Sequence, residues 1–263
     1  MRIIAGLGVL LLAGATGLAA ETPGRSETLA IPAGPFTMGA NHGPDDERPA
    51  HQVDVAVFEI DRLPVTNARF ADFLNAIGTH NRNGERLFDD DDADVRIHKI
   101  GSRWVADKGF EHHPVVEVSW PGARDYCAWR NMRLPTEAEW EKAARGTDGR
   151  KYPWGNAPPD RTRAQFAARY NETAPVNAFP AGASPYEVLD MAGNAWEWVA
   201  SAYRPYPYAA NDGREDQSAG PVRATRGGGH DSPAAEITTT QRGRYLSRNP
   251  RAGHHNIGFR CAK

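Results

Sequence analysis

Beyond Gly146 the chain never again repeats apolar residues at helical spacing. From there to Lys263, short apolar stretches alternate with Gly, Pro and Asn. Helical bundles need long periodic elements, so this half does not read as one. It predicts short strands carried on long loops. The 26 Gly, 20 Pro and 7 Trp of this 263-residue chain agree: many turns, and large aromatic anchors to hold them. No linker-like composition interrupts the chain. The expectation is one α+β domain over residues 25–263, low in regular secondary structure.

Before Gly146 the periodic signals are clear. TLAIPAGPFTMGA (28–40) reads as a strand and hairpin, and PAHQVDVAVFEI (49–60) alternates strictly as a strand. LPVTNARFADFLNAIG (63–78) is amphipathic, with Thr66 as N-cap, Gly78 as stop, and Phe70, Phe73, Leu74 and Ile77 on one face. SWPGARDYCAWRNM (119–132) is a second helix, capped by Ser119 with Pro121 in its first turn. Thr136-Glu137-Ala138-Glu139 is a capping box that opens a third helix ending at Gly146. Between the first two helices, Asp89 to Asp92 and Asp94 form an acidic cluster. That is a solvated loop or a calcium site, although the glycine of an EF-hand loop is missing.

MRIIAGLGVLLLAGATGLAAETPG carries Arg2, an apolar run from Ile3 to Leu18, and the small-x-small step Gly17-Leu18-Ala19. It predicts a signal peptide over residues 1–20, and hence a periplasmic or secreted protein without stable membrane insertion. A membrane anchor is the alternative, but the run is short and interrupted by glycines. In an oxidising compartment Cys127 and Cys261 are natural disulfide partners, with a reactive or metal-binding thiol pair as the alternative. A net charge of -2 offers no basic field for a nucleic-acid partner.

The segment RGGGHDSPAAEITTTQRGR (226–244) concentrates glycines, ionisable groups and arginines. His230, Asp231 and Ser232 are adjacent, whereas a Ser-His-Asp triad must converge in space, and no G-x-S-x-G elbow is present. No Gly-Lys-Ser/Thr follows the glycines, which excludes a phosphate loop. His230, Asp231 and Glu236, with His254 and His255 downstream, could supply two histidines and a carboxylate for non-haem iron. Alternatively they line a polar ligand pocket without metal. Arg223, Arg226, Arg242, Arg244, Arg248 and Arg251 fit either carboxylate recognition or buried ion pairs.

Nine phrases in order, IPAGPFTMG, ERPAHQVDV, LPVTNARFADFLNA, HPVVEVSW, RLPTEAEWEKAARG, YPWGN, APVNAFPAG, LDMAGNAWEWV and NIGFRCA, resemble the sulfatase-modifying-factor family, whose founding activity is formylglycine generation. The resemblance implies that family's formylglycine-generating-enzyme-like α+β fold, distantly related to C-type lectins. It implies pairing of Cys127 with Cys261. It also implies a structural calcium held by Asp190, the backbone oxygens of Gly193 and Ala195, and Glu197. That set is chemically apt, because calcium takes 6 to 8 oxygen ligands. A second family calcium would fall near Gln165 and Phe166, where the acidic loop that follows is shortened to AARYNETAP.

The family's copper(I) is held by two thiolates just after an Arg-x-x-Gly-Gly-Ser turn. Here that turn is Arg223 to Gly229, and Ser232 and Ile237 stand at the two cysteine positions. Neither is a soft ligand, so thiol-copper formylglycine synthesis is not expected. The resemblance extends to periplasmic relatives that mature a siderophore chromophore or accompany nitrite-reductase systems. The expectation is therefore an accessory oxidoreductase or maturation factor with an unidentified redox metal. Its chemistry would rest on His230, Asp231, Ser232 and Glu236. Trp196, Trp198, Arg226, Arg242 and Arg244 would contact a small molecule or an exported protein. The alternative is a non-catalytic ligand- or protein-binding module.

Overall fold

Three helices form where their caps predict them. In the computed structural model, which describes residues 27–218, 222–243 and 249–263, α1 spans Asn67–Ile77. The Thr66 side chain accepts from Arg69 N, and Gly78 closes the helix at φ 91. Phe70, Phe73 and Leu74 are buried as expected, but Ile77, in the last turn, emerges into solvent. Helix α2 spans Trp120–Trp129 behind Ser119, which accepts from Gly122 N. A Cβ on Gly122 would lie 2.0 Å from the Leu87 carbonyl, so α2 packs backbone to backbone there. Helix α3 spans Glu137–Arg145, and both halves of the Thr136/Glu139 capping box are made. The expected signal peptide, residues 1–20, lies outside the described residues.

The N-terminal strands depart from the expected hairpin. Strands β1 (Thr28–Ile31) and β2 (Gly34–Met38) do not pair with each other. β1 pairs antiparallel with β4 (Phe58–Asp61), and β2 with β3 (His51–Val55). The run 49–60, read as one strand, therefore breaks at Ala56–Val57, where the chain changes partner. Val57 continues the alternation but is 68 % exposed. Strands β5 (Ile97–Ile100) and β6 (Arg103–Ala106) form a hairpin after the acidic loop.

After Gly146, regular structure thins out as the composition requires. One three-stranded sheet organises this half: β7 (Trp196–Ala202) lies between β8 (Arg223–Arg226), antiparallel to it, and β9 (Ile257–Phe259), parallel to it. A core of Phe70, Phe73, Tyr126, Trp198 and Phe259 joins α1 and α2 to this sheet. A second core, around Phe36, Ile60, Trp140 and Val199, joins α3 to β1–β4. Each such large apolar side chain contributes about 1.5–3 kcal/mol of burial. Cys127 on α2 is disulfide-bonded to Cys261 just past β9, with a Cα–Cα distance of 5.6 Å. No helix among the described residues is long and apolar enough to cross a membrane.

Candidate functional site

Strand β8 ends at Arg226, and the glycines that follow make a turn that other residues could not. Gly227 and Gly228 have φ of 96 and 78. A Cβ on Gly228 would lie 2.7 Å from the Glu236 carbonyl and 2.8 Å from Ile237 Cγ2. The turn runs beside the loop before β7: Gly193 N donates to Gly227 O at 2.9 Å, and His230 N to Asn194 O at 2.8 Å. Neighbouring His230 and Asp231 are thereby turned toward a third residue, His255, from the approach to β9.

One ligand atom from each of His230, Asp231 and His255 lies within 4.8 Å of the others. His230 is buried, and its Nδ1 sits 3.1 Å from Asn194 O. A carbonyl only accepts, so Nδ1 carries the proton and Nε2 presents a lone pair. Among the described residues, no hydrogen-bond partner reaches that buried Nε2. Burial holds the His230 pKa below its usual value of 6.5, which keeps the ring neutral. The Asp231 carboxyl is held down at about 2, first by its hydrogen bond with His255. Asp231 Oδ2 lies 3.1 Å from His255 Nε2, and Asn256 Nδ2 donates to both carboxylate oxygens at 3.1 and 3.2 Å. Adjacent ligands at about 2.1 Å from a first-row metal are themselves about 3 Å apart, so the Asp231–His255 spacing suits a shared ion. An unsatisfied imidazole nitrogen, a charged carboxylate and a second imidazole are the donors expected of a two-histidine, one-carboxylate centre.

Beside these residues opens a cavity of about 460 Å³, walled by Trp196, Asp231, Ser232, Glu236, Arg242 and Asn256. Its size suits a small molecule or an inserted side chain. A larger cavity of about 790 Å³, around Trp120, Arg124 and Arg223, lies apart from the histidines. The chemistry points to the smaller one. Ser232 Oγ accepts from Gly229 N at 3.0 Å and closes the turn. Glu236 is exposed on the rim and is not among the three clustered donors. His254 also stands outside them, its Nε2 3.4 Å from Asn249 O.

Several expected substrate contacts are differently employed. Trp198 is fully buried and donates to Val118 O at 2.9 Å, which makes it core; Trp196 does reach the cavity wall. Arg226 is fully buried and bonded to Glu137 (3.2 Å), to Glu141 and to Thr239 O (2.9 Å), with no face open to a ligand. Arg242 lines the cavity, but its charge is matched by Glu137 at 2.7 and 3.1 Å. Arg244 and Arg248 lie outside the described residues. Among the arginines, Arg226 and Arg242 follow the ion-pair alternative, because each guanidinium finds a buried carboxylate.

Both thiols are in the disulfide, and no free cysteine remains. Ile237 is buried against Tyr152, Ala164 and Ala192. A thiolate-held copper(I) therefore has no ligands at this turn. In the expected calcium loop, Glu197 is already charge-matched: Arg260 donates to its two oxygens at 2.6 and 2.7 Å, and Trp140 Nε1 donates at 2.8 Å. Asp190 differs. Burial pushes its carboxyl up to about 7 against the pull of Arg260, and its hydrogen bond is from Asn194 at 3.3 Å. Sequence reasoning singled out His230 and Asp231 but placed His255 only loosely, since nothing local shows which downstream histidine meets them.

Residues 16–263 match the family described as the sulfatase-modifying factor enzyme 1-like domain. The chain is 36 % identical over 247 residues to the serine/threonine-protein kinase Pkn1 of Chlamydia trachomatis, covering 90 % of this chain but only 38 % of that protein's length. It is 35 % identical to the formylglycine-generating enzyme of Streptomyces coelicolor, covering 88 % of this chain and 87 % of the enzyme. Among solved structures, PvdO from Pseudomonas aeruginosa superposes with a TM-score of 0.70 at 28 % identity, over 92 % of this chain and 99 % of PvdO. The formylglycine-generating-enzyme-like α+β fold is thus shared nearly end to end.

Proposed function

Because the chain belongs to the sulfatase-modifying factor family, we propose that it is an accessory oxidoreductase or maturation factor working on that scaffold with a different metal centre. The observation that carries this reading is the convergence of His230, Asp231 and His255, with the buried Nε2 of His230 lacking a hydrogen-bond partner among the described residues. The donor set suits iron(II). When bound, such a metal supplies one-electron chemistry toward dioxygen.

The chain's own residues then have definable tasks. Asn194 O holds the His230 tautomer, and Asn256 orients the Asp231 carboxylate, as outer partners of metal ligands do. Trp196 and Arg242 shape the wall against which a small molecule or an exported protein's side chain would lie. We also propose a structural calcium at Asp190 with the carbonyl oxygens of Gly193 and Ala195; Glu197, expected as the fourth ligand, has both carboxylate oxygens bonded to Arg260. Export to the periplasm is supported by the apolar N-terminal segment and by the disulfide. The alternative, a non-catalytic binding module, draws on the 3.1 Å His255–Asp231 hydrogen bond, which satisfies those two groups without a metal.

The two readings separate by metal analysis. Wild-type protein, purified without chelators and titrated anaerobically with iron(II), should bind close to one equivalent. His230→Ala and His255→Ala should weaken binding at least tenfold while keeping the far-UV circular dichroism of the wild type. Calcium as the only bound metal, or iron binding unchanged in both variants, sinks the oxidoreductase reading in favour of the binding module.

A further inference from the structure

The acidic loop before β5 is not uniformly solvated. Arg86 is its counter-charge, and it reaches Asp89 and Asp90 at 3.2 Å each, and Asp91. Asp89 also accepts from Gly253 N at 2.7 Å. Asp92 and Asp94 face another way, toward Glu117, and one oxygen from each of the three lies within 4.8 Å of the others.

Glu117 is the unexpected member. It comes from HPVVEVSW, a stretch with no other acid, and it is only 3 % exposed. Its φ of 60 is left-handed, a conformation that a non-glycine residue adopts rarely. No hydrogen bond or ion pair reaches its carboxylate among the described residues, and the charged groups that face it are Asp92, Asp89 and Asp94. Burial first, then those neighbours, push its carboxyl up to about 8. Most other buried acids are ion-paired: Glu137 with Arg226 and Arg242, Glu141 with Arg145, Glu197 with Arg260, Asp61 with Arg130. A buried carboxylate left among like charges is costly unless something positive completes the group.

We propose that Asp92, Asp94 and Glu117 form a calcium site, separate from the histidine centre and from the Asp190 loop. All three donors are hard oxygens, which suit Ca²⁺ or Mg²⁺ rather than a softer ion. Calcium is the better fit of the two, because it accepts an irregular shell of 6 to 8 oxygens completed by water, whereas Mg²⁺ demands near-ideal octahedral geometry and dehydrates reluctantly. Asp92 is exposed, so water completes the shell from that side. Asp94 is held for the purpose by Asn171, which donates at 3.2 Å, and by the Tyr170 hydroxyl. Tyr170 is 63 % exposed yet packs on the His255 ring at 4.3 Å, so the cation would brace one side of the histidine centre. The calcium site itself does not depend on what His230 binds.

The test is calcium binding to the full chain after chelator treatment, followed by isothermal titration. Asp92→Asn, Glu117→Gln and Asp190→Asn are compared with wild type. Asp92 is on the surface, so its variant leaves folding intact. The expected result is one calcium equivalent lost, or its affinity lowered at least tenfold, in both Asp92→Asn and Glu117→Gln. That equivalent should remain in Asp190→Asn. An isotherm unchanged in Asp92→Asn and Glu117→Gln overturns the proposal. So does a wild-type protein that takes up no calcium at this cluster in the millimolar range, which would mean that a proton shared with Glu117 completes the group.

Discussion

Glu137 is the carboxylate that two buried cations share, and its replacement by Gln is the most demanding check on their network. Its oxygens accept from Arg242 Nε at 2.7 Å, from a second Arg242 nitrogen at 3.1 Å, and from Arg226 at 3.2 Å. All three side chains are fully buried. Arg226 retains Glu141, but among the described residues Arg242 keeps no carboxylate, only the carbonyls of Asp46 (2.8 Å) and Arg204 (2.9 Å) and the rings of Tyr203 and Tyr206. Breaking a buried pair by removing one partner costs about 3–5 kcal/mol. At about 2–4 °C per kcal/mol for a domain near this size, Glu137→Gln should melt roughly 6–20 °C below wild type. Burial raises the Glu137 pKa, but Arg242 and Arg226 outweigh it and hold the carboxyl below its usual 4.5. A depressed folded pKa means that the stabilisation is complete above that usual value. It is lost as pH falls through the lower folded value. The gap between variant and wild type should therefore narrow in acid. Differential scanning calorimetry across pH 3–7 measures both effects. A loss below about 1 kcal/mol at pH 7, or a gap that does not change with pH, would refute a dry, charge-matched network.

Three further outcomes follow from named contacts. Replacing Cys127 and Cys261 together by Ala opens a loop of 134 residues and should cost about 5 kcal/mol by chain entropy, read as a lower urea midpoint; an unchanged midpoint would discount the tether. Gly228→Ala adds a Cβ 2.7 Å from the Glu236 carbonyl at a φ of 78, whereas Gly84→Ala meets open space at a φ of 76. Both pay about 1–2 kcal/mol for the left-handed backbone, so Gly228→Ala should lose more stability, and it alone should weaken iron binding. Asp107→Asn removes an exposed pair with His98 at 2.7 Å and should shift stability by less than about 1 kcal/mol; a larger loss would mean that the β5–β6 hairpin depends on it.

What the sequence made legible were features whose determinants are local. Thr66, Ser119 and the Thr136/Glu139 pair mark helix starts because a cap bonds within three residues. Strand β7 shows almost no alternation because both of its faces are buried, so its existence could not be read from period. The split of the 49–60 run was equally hidden: Val57 keeps the pattern, and only the change of pairing partner turns it outward. At the candidate site, His230 and Asp231 stood out by adjacency to the glycine turn. His255 and Glu117 did not, since each acquires its meaning from residues more than twenty positions away. Arg226 and Arg242 looked like anion receptors for the same reason: Glu137 and Glu141 lie on α3, and their approach is a fact of tertiary packing.

The Cys127–Cys261 bond has a consequence for where this protein can work. Strand β9 begins at Ile257, two residues after His255, and the bond fastens the chain just beyond that strand to α2. The placement of one donor is thus tied to a covalent link that forms only where oxidants are present. A copy left in a reducing compartment would have the same sequence without that fastening. His255 would then be held by strand pairing alone, without the covalent fastening beyond β9.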